Sequence, residues 1–456
     1  MNQYTTTNPT SGQPLNNYPI DCLEDIYKKI SAASLAQKKW KTTSHSVRKE
    51  KLLSLAENFT QHKSLYAKIM AEEMGKPIQE GLGEIEKCVR NCEYYAENLA
   101  AFLRPEKIVA EDIEAYKYYE PVGLIYAVMP WNFPFWQVMR FAIPNLAAGN
   151  GIILKHAKNV IGSALAIEKA FTDAGFPSHL VTNVIIDHDA SEKIIDHPDI
   201  QGVTLTGSDQ AGKIIAAQSG KALKKVILEL GGSDPYLILE DADITHAVEQ
   251  CVKARMLNAG QVCISPKRII VHEHILDAFI EQVKTKLSKY QFGDPLNADC
   301  KLGPMAKFSL RDELHAQVQE SIQKGAKCLL GGVVPKGEGN YYPATLLTNV
   351  KKGMPAYDEE LFGPVVAIIS ASTEEEAIEI ANDSKYGLGA AIFSQDIQKA
   401  RDIAVNQIDS GMCSINAFVA SDPRIPFGGV KQSGFGREVA LEGMREFVNI
   451  KSIVVG

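Results

Sequence analysis

The sequence predicts an α/β chain of two doubly wound parallel sheets, preceded by helices and carrying a small β excursion. Three observations carry that prediction. Apolar runs such as Gly123-Leu124-Ile125-Tyr126-Ala127-Val128-Met129 are continuous rather than alternating, as expected of strands covered on both faces. They alternate with stretches of helical spacing about 10–15 residues long, the rhythm of βαβ crossovers. That rhythm starts again after Gly231-Gly232, so a single sheet does not account for it. With 456 residues the chain has room for two large domains and an excursion.

In chain order, residues 20–103 read as helices. Leu52, Leu53, Leu55, Ala56 and Phe59 follow the polar run 46–50 at helical spacing, Gly75-Lys76-Pro77 interrupts the pattern, and 85–99 resumes it. Residues 113–121 roughly alternate polar and apolar, the pattern of a half-exposed strand. The first sheet series continues with strands at 151–154, 181–186, 202–206 and 225–230, separated by helices near 162–174, 191–196 and 210–219. The second includes strands at 267–271, 326–330, 364–370, 390–393 and 414–416. The tail 448–455 is strand-like and suits pairing with the excursion or with another subunit.

Composition narrows the function. Lys and Arg number 48 against 55 Asp and Glu, a net charge of −7, whereas a nucleic-acid surface needs clustered positive charge. An anionic small substrate needs only one or two local cations and stays open. No stretch reaches the ~18 uninterrupted apolar residues of a membrane span, and the polar N-terminus has no charged-then-apolar signal pattern. Eight scattered cysteines without a CxxC give neither a disulfide framework nor a metal site. Cys88 and Cys92, four apart on a helix, read as small core residues. The expectation is a soluble, cytoplasmic chain with reduced thiols and no metal.

Four segments hold residues suited to chemistry. No G-x-G-x-x-G occurs, yet Val203-Thr204-Leu205-Thr206-Gly207-Ser208 ends a strand in a tight turn at a helix start, either a plain Ser N-cap or an anion site. Pro130-Trp131-Asn132-Phe133-Pro134-Phe135-Trp136 stands at the carboxyl end of a buried strand, the edge where α/β sheets bind ligands. There Asn132 is either a helix cap or an amide aimed at a developing oxyanion. Trp136 and Arg140 share a helical face. Glu229 ends an apolar strand ahead of two glycines, where its charged form is disfavoured, as suits a general base or a buried ion pair. Gly260-Gln261-Val262-Cys263 puts a thiol in a loop with no histidine beside it, so a Cys-His hydrolase has no local support.

Together these segments resemble the aldehyde dehydrogenase superfamily over nearly the whole chain. The motifs are PWNFP (130–134), TGS (206–208), ELGG (229–232), GQVC (260–263), EELFGPV (359–365) and PFGG-VKQSGFGRE (426–438). The resemblance implies that Cys263 is the nucleophile, forming a thiohemiacetal and then a thioester. Asn132, with the Cys263 backbone N–H, would hold the oxyanion, and Glu229 would activate the hydrolytic water. It implies NAD or NADP as cofactor, with Lys155 on the adenosine ribose, Ser208 on the pyrophosphate, Glu360 on the nicotinamide ribose, Phe362 beside it, and Trp131, Thr206 and Gly207 lining the groove. The family often has Glu three residues after the strand lysine. Here Lys155-His156-Ala157-Lys158 stands instead, and Lys158 would attract a 2′-phosphate, which favours NADP.

The segment 130–141, the run 229–235 and Ser421-Asp422-Pro423-Arg424 resemble the bacterial succinate-semialdehyde dehydrogenase branch. Arg140, with Trp136 and Ser421, would then meet a substrate carboxylate; glutarate semialdehyde and general aliphatic aldehydes are the alternatives. Intact Glu229 favours hydrolysis over transfer of the acyl group to CoA, and the three catalytic residues together argue against an inactive binding protein. The implied organisation is a dinucleotide-binding domain at 1–102 and 122–231, a catalytic domain at 232–440, and an oligomerisation arm at 103–121 and 441–456, in a homodimer or homotetramer.

Overall fold

The structure, a computed structural model, describes residues 3–456. A hairpin of β1 (Gln3–Thr7) and β2 (Pro14–Pro19) leads into three helices, α1 (Leu23–Trp40), α2 (His45–Met74) and α3 (Ile78–Phe102). The antiparallel pair β3 (Glu106–Ala110) and β4 (Ile113–Pro121) follows. Then strands and helices alternate: β5 (Leu124–Met129), α4 (Trp136–Ala148), β6 (Gly151–His156), α5 (Ile161–Asp173), β7 (Val181–Asn183), α6 (Asp189–Asp196), β8 (Ile200–Thr206), α7 (Asp209–Lys221) and β9 (Lys225–Glu229). The second series runs β10 (Asp234–Ile238), α8 (Ile244–Met256), β11 (Pro266–His272), α9 (Leu276–Leu287), α10 (Phe308–Gln323), β12 (Lys327–Leu330), β13 (Thr345–Thr348), α11 (Pro355–Asp358), β14 (Val365–Ala371), α12 (Glu374–Asn382), β15 (Tyr386–Gly387), β16 (Gly389–Phe393), α13 (Ile397–Asn406) and β17 (Met412–Ile415). The chain closes with β18 (Val430–Lys431), β19 (Gly434–Phe435), α14 (Ala440–Glu446) and β20 (Val448–Val455).

The first sheet has the order β19-β9-β8-β5-β6-β7, parallel except for β19. From β5 the chain moves outward to β6 and β7, then returns to the other side of β5 with β8. The switch point therefore lies between β5 and β8, and crevices at such points take ligands. The second sheet has the order β12-β13-β14-β11-β10-β16-β17, parallel except for β12. Its central strands β10 and β11 are almost wholly buried, which explains their continuous apolar text. Among the described residues no helix is long and apolar enough to cross a membrane.

Local chemistry accounts for the helix ends that matter most for the site. The Ser44 hydroxyl accepts from Val47 N at 3.3 Å and starts α2, while Gly75, at φ +78°, ends it. A Cβ on Gly75 would lie 2.7 Å from Pro304 Cγ, so only glycine fits. The first turns of α4 and α5 have no cap of their own, and α3 and α2 supply one to each. Glu84 accepts from Phe135 N and Trp136 N, both at 2.9 Å, and Glu73 accepts from Gly162 N and Ser163 N at 2.7 and 2.9 Å. Cys88 and Cys92 are fully buried in the α3 face of the core, as their spacing predicts.

Two expectations change, and the tail takes one of its two expected pairings. The chain opens with a hairpin whose polar text gave no strand signal, because only Thr6 of β1 is fully buried and no β2 residue is. The chain returns to the first sheet before residue 440: β19 pairs with β9 through Gly434 and Glu229, and α14 packs on α4. Residues 434–435 are therefore the edge strand of the first sheet, although β18 just before them pairs with β15. The tail β20 pairs with β4 of its own chain, Val448 opposite Pro121 through Val455 opposite Glu114, completing the three-stranded arm β20-β4-β3.

Candidate active site

The carboxyl ends of β5, β8 and β9 bring Pro130, Trp131, Asn132, Thr206, Gly207, Ser208, Leu230 and Gly231 to one wall of a cavity of about 530 Å³. The second domain supplies the facing wall with Cys263, Glu360 and Phe362. A smaller cavity of about 150 Å³, lined largely by apolar side chains, holds Trp136, Arg140 and Ser421. Cys263 and Gln137 line both cavities. The thiol thus stands where two chambers meet.

The loop presenting Cys263 is held in an uncommon backbone conformation. Asn258, Ala259 and Gly260 have φ of +52°, +52° and +72° in succession. A Cβ on Gly260 would run into the Gly363 carbonyl, so the glycine of GQVC is required by close approach as well as by φ. Hydrogen bonds from both domains fix the turn. Asn132 Nδ2 donates to Gln261 O at 3.0 Å, Asn258 Nδ2 donates to Asn132 O at 2.8 Å, and Ala306 N donates to Gln261 Oε1 at 3.0 Å. The Lys267 ammonium donates to the carbonyls of Val262, at 2.6 Å, and Cys263, and pairs with Glu360 at 3.2 Å.

Burial pushes the Cys263 thiol up to about 11; Lys267 and Arg140 pull it down, while Glu360 and Asp234 oppose them. At rest the group is a thiol. Glu229 ends β9 only 2% exposed, with neither carboxylate oxygen hydrogen-bonded. Burial holds it well above the carboxylate range; Arg140 acts against that and Glu438 adds to it. Its Oε1 lies near Gly428, where an added Cβ would be 2.9 Å away, and it lines neither cavity. The carboxylate is therefore parked beside the Arg140–Glu438 ion pair rather than in the crevice beside Cys263. Arg140 is ion-paired to Glu438, its guanidinium 4.2 Å from the Phe427 ring centroid, and it lines the smaller cavity.

The larger cavity fits a dinucleotide on its own features. Thr206 Oγ1 is buried there without a partner. Ser208 is an N-cap accepting from Ala211 N at 3.3 Å, and it lines the cavity at the α7 N-terminus. Trp131 and Phe362 meet edge to face at 5.8 Å, and Glu360 Oε1 is anchored by Gly232 N at 3.2 Å and by Lys267. Lys155 and Lys158 do not line this cavity. They end β6 farther along the crevice, with Lys158 exposed and lining a small groove with Tyr4 and His156. Lys307 stands close enough to both to be pushed down to about 8, first by burial and then by their charges. The three cations gather in one corner, with Asp187 and Asp189 at its edge around His188.

Sequence reading missed Lys87, Lys267, Lys307 and Glu438. Lys87 sits one helical turn beyond Glu84 on α3 and reaches the smaller cavity, its Nζ 4.1 Å from the Trp136 ring centroid. Among the described residues Glu240, His272 and His274 also gather ligating atoms within 4.8 Å, on an exposed edge away from both cavities.

Comparison with known proteins agrees with this geometry. Residues 1–453 match the description of the aldehyde dehydrogenase family. Over 446 residues the chain is 45% identical to succinate semialdehyde dehydrogenase (NAD(P)+) Sad of Escherichia coli (strain K12), covering 98% of this chain and 96% of that one. It is 39% identical over 448 residues to a probable succinate-semialdehyde dehydrogenase (NADP(+)) of Synechocystis sp. (strain ATCC 27184 / PCC 6803 / Kazusa), covering 98% of each. The solved succinic semialdehyde dehydrogenase of Streptococcus pyogenes, in complex with NADP+ as the cofactor, superimposes with a TM-score of 0.97 at 36% identity over 99% of both chains. The chain belongs to the aldehyde dehydrogenase family.

Proposed function

We propose that this chain oxidises succinic semialdehyde to succinate with NADP or NAD as the electron acceptor. The observation that carries the reading is the position of Cys263 at the junction of a dinucleotide-sized cleft and a small cavity lined by Arg140 and Lys87. The names of the relatives in E. coli, Synechocystis and S. pyogenes support the same substrate and cofactors.

The residues divide the work by chemistry. Cys263 adds through sulfur to the aldehyde carbon and holds it covalently, first as a thiohemiacetal and then as a thioester. Asn132 Nδ2, which at rest donates to Gln261 O, turns to the oxyanion together with the Cys263 N–H. Trp131, Thr206, Gly207, Ser208, Glu360 and Phe362 hold the dinucleotide, and the Lys155, Lys158 and Lys307 corner receives the adenosine end. A nicotinamide bound there supplies the hydride acceptor that no side chain provides. Glu229 then swings from the Arg140–Glu438 pair toward the thioester, where in its carboxylate form it takes a proton from the attacking water. The release of succinate regenerates the thiol.

The arm β20-β4-β3 fits self-association as a homodimer or homotetramer. It exposes Val109, Ile113, Ile450 and Val454, an apolar surface that a lone subunit leaves in water. The test of the activity is the near-ultraviolet absorbance of reduced nicotinamide, followed with succinic semialdehyde and NADP or NAD. Efficient reduction is expected with at least one cofactor. Turnover of hexanal or benzaldehyde alone would remove the substrate while keeping the reaction.

A further inference from the structure

Two loops meet at the thiol, residues 260–265 around Cys263 and residues 359–365 around Glu360 and Phe362. Their backbones are pinned together by the fully buried Arg255 of α8. Its guanidinium donates to Ser265 Oγ at 2.9 Å and Gly260 O at 3.4 Å on the first loop. On the second it donates to Val365 O and Leu361 O, both at 2.6 Å. Lys267, near the start of β11 and 1% exposed, joins the same loops at different atoms. An ammonium has three donors, and here all three are committed: to Val262 O at 2.6 Å, to Cys263 O, and to Glu360 Oε1 at 3.2 Å. Gly232 N donates to that same Glu360 oxygen, and Glu360 lines the larger cavity with Phe362. Lys267 lines neither cavity, so it acts through these partners.

We propose that Lys267 is a positioning residue that couples the nucleophile to the cofactor grip, one ammonium holding the Cys263 carbonyl and the Glu360 carboxylate in register. The assignment rests on the roles given above to Cys263 and Glu360. Because Arg255 fixes both backbones without it, the loops keep their course when Lys267 is replaced. What is lost is the orientation of Glu360 and one positive charge behind the thiol. Burial dominates the thiol; among the charges acting on it, Lys267 is the strongest that favours the thiolate, followed by Arg140 of α4, while Glu360 and Asp234 of β10 oppose them. Lys267 also faces Asp234, which burial raises to about 7 and Lys267 pulls down.

The experiment is a double-variant cycle of Lys267→Met and Glu360→Gln in the full chain, with two readouts. One is KM for NADP or NAD, measured with an aldehyde that the wild type turns over. The other is the rate of iodoacetamide alkylation of the Cys263 peptide without cofactor at pH 9, above the titration of Asp234. Each single variant is expected to raise the cofactor KM about tenfold. The second change should add less than about twofold to the first, because a carboxylate no longer held in place has little further to lose. Lys267→Met should also slow alkylation about tenfold. The double variant should recover most of that rate, since the opposing Glu360 charge leaves with the cation. Cofactor KM and thiol reactivity thus move apart in the double variant, which a general loosening of the fold does not produce. Should Lys267→Met not fold, Lys267→Gln removes the same charge and gives the same comparison. KM effects that multiply in the double variant, or an alkylation rate unchanged by loss of the ammonium, overturn the assignment to Lys267. An unchanged cofactor KM in Glu360→Gln alone overturns the role given to Glu360, and the assignment with it.

Discussion

The ionisation of Cys263 gives the sharpest test of the site. Its thiol, pushed up to about 11 by burial, is about 0.1% thiolate at pH 8 and about 0.01% at pH 7. Forming the thiolate at pH 8 thus costs about 4 kcal/mol, the distance of three pH units. Alkylation with iodoacetamide, followed by mass spectrometry on the peptide bearing Cys263, reads this directly. The peptide must be resolved because Cys22 and Cys328 are exposed and react too. In the free enzyme the rate should rise about tenfold per pH unit from 7 to 9.5, with no plateau. Glu229→Gln should leave the profile in place, since the charges acting on the thiol are those of Lys267, Arg140, Glu360 and Asp234. A plateau near pH 8 would refute the reasoning, because the cations would then outweigh burial. A loss of rate in Glu229→Gln would mean that the carboxylate already serves the thiol at rest.

Glu229→Gln should preserve the first burst of reduced cofactor and slow steady turnover by at least 10²-fold, as rapid-mixing absorbance would record, if the group acts on the thioester. Arg140→Leu leaves Glu438 and Glu229 buried without their cation and should cost roughly 3–5 kcal/mol, seen as a lower urea midpoint; the double variant Arg140→Leu/Glu438→Leu should recover much of it. Lys158→Ala should lower the NADP-to-NAD ratio of kcat/KM about tenfold or more, since it removes one of three clustered cations from the adenosine end. An unchanged ratio would place Lys158 in solvent only.

The sequence by itself determined the α/β class, most strands of both sheets and the six motifs. Each rests on local information: continuous apolar runs, helical spacing, and glycines such as Gly75 and Gly260 at fixed points. It also picked out the residues that gather around Cys263, because a loop at a strand's carboxyl end is already at the sheet's ligand edge. Tertiary structure decided what each of those residues faces. Glu229 reads as a base at a strand end, yet its carboxylate lies beside Gly428 and Arg140, a contact set by residues some 200 positions later in the chain and 90 earlier. Arg140 reads as a lone cation because Glu438 is not its neighbour in sequence. Lys87 reads as one more charge on a helix until α3 packs on α4 and leaves it over Trp136. Charge compensation is a property of what is near in space, and burial multiplies its consequences, so the same carboxylates and ammoniums take their roles only once the two domains close around the thiol.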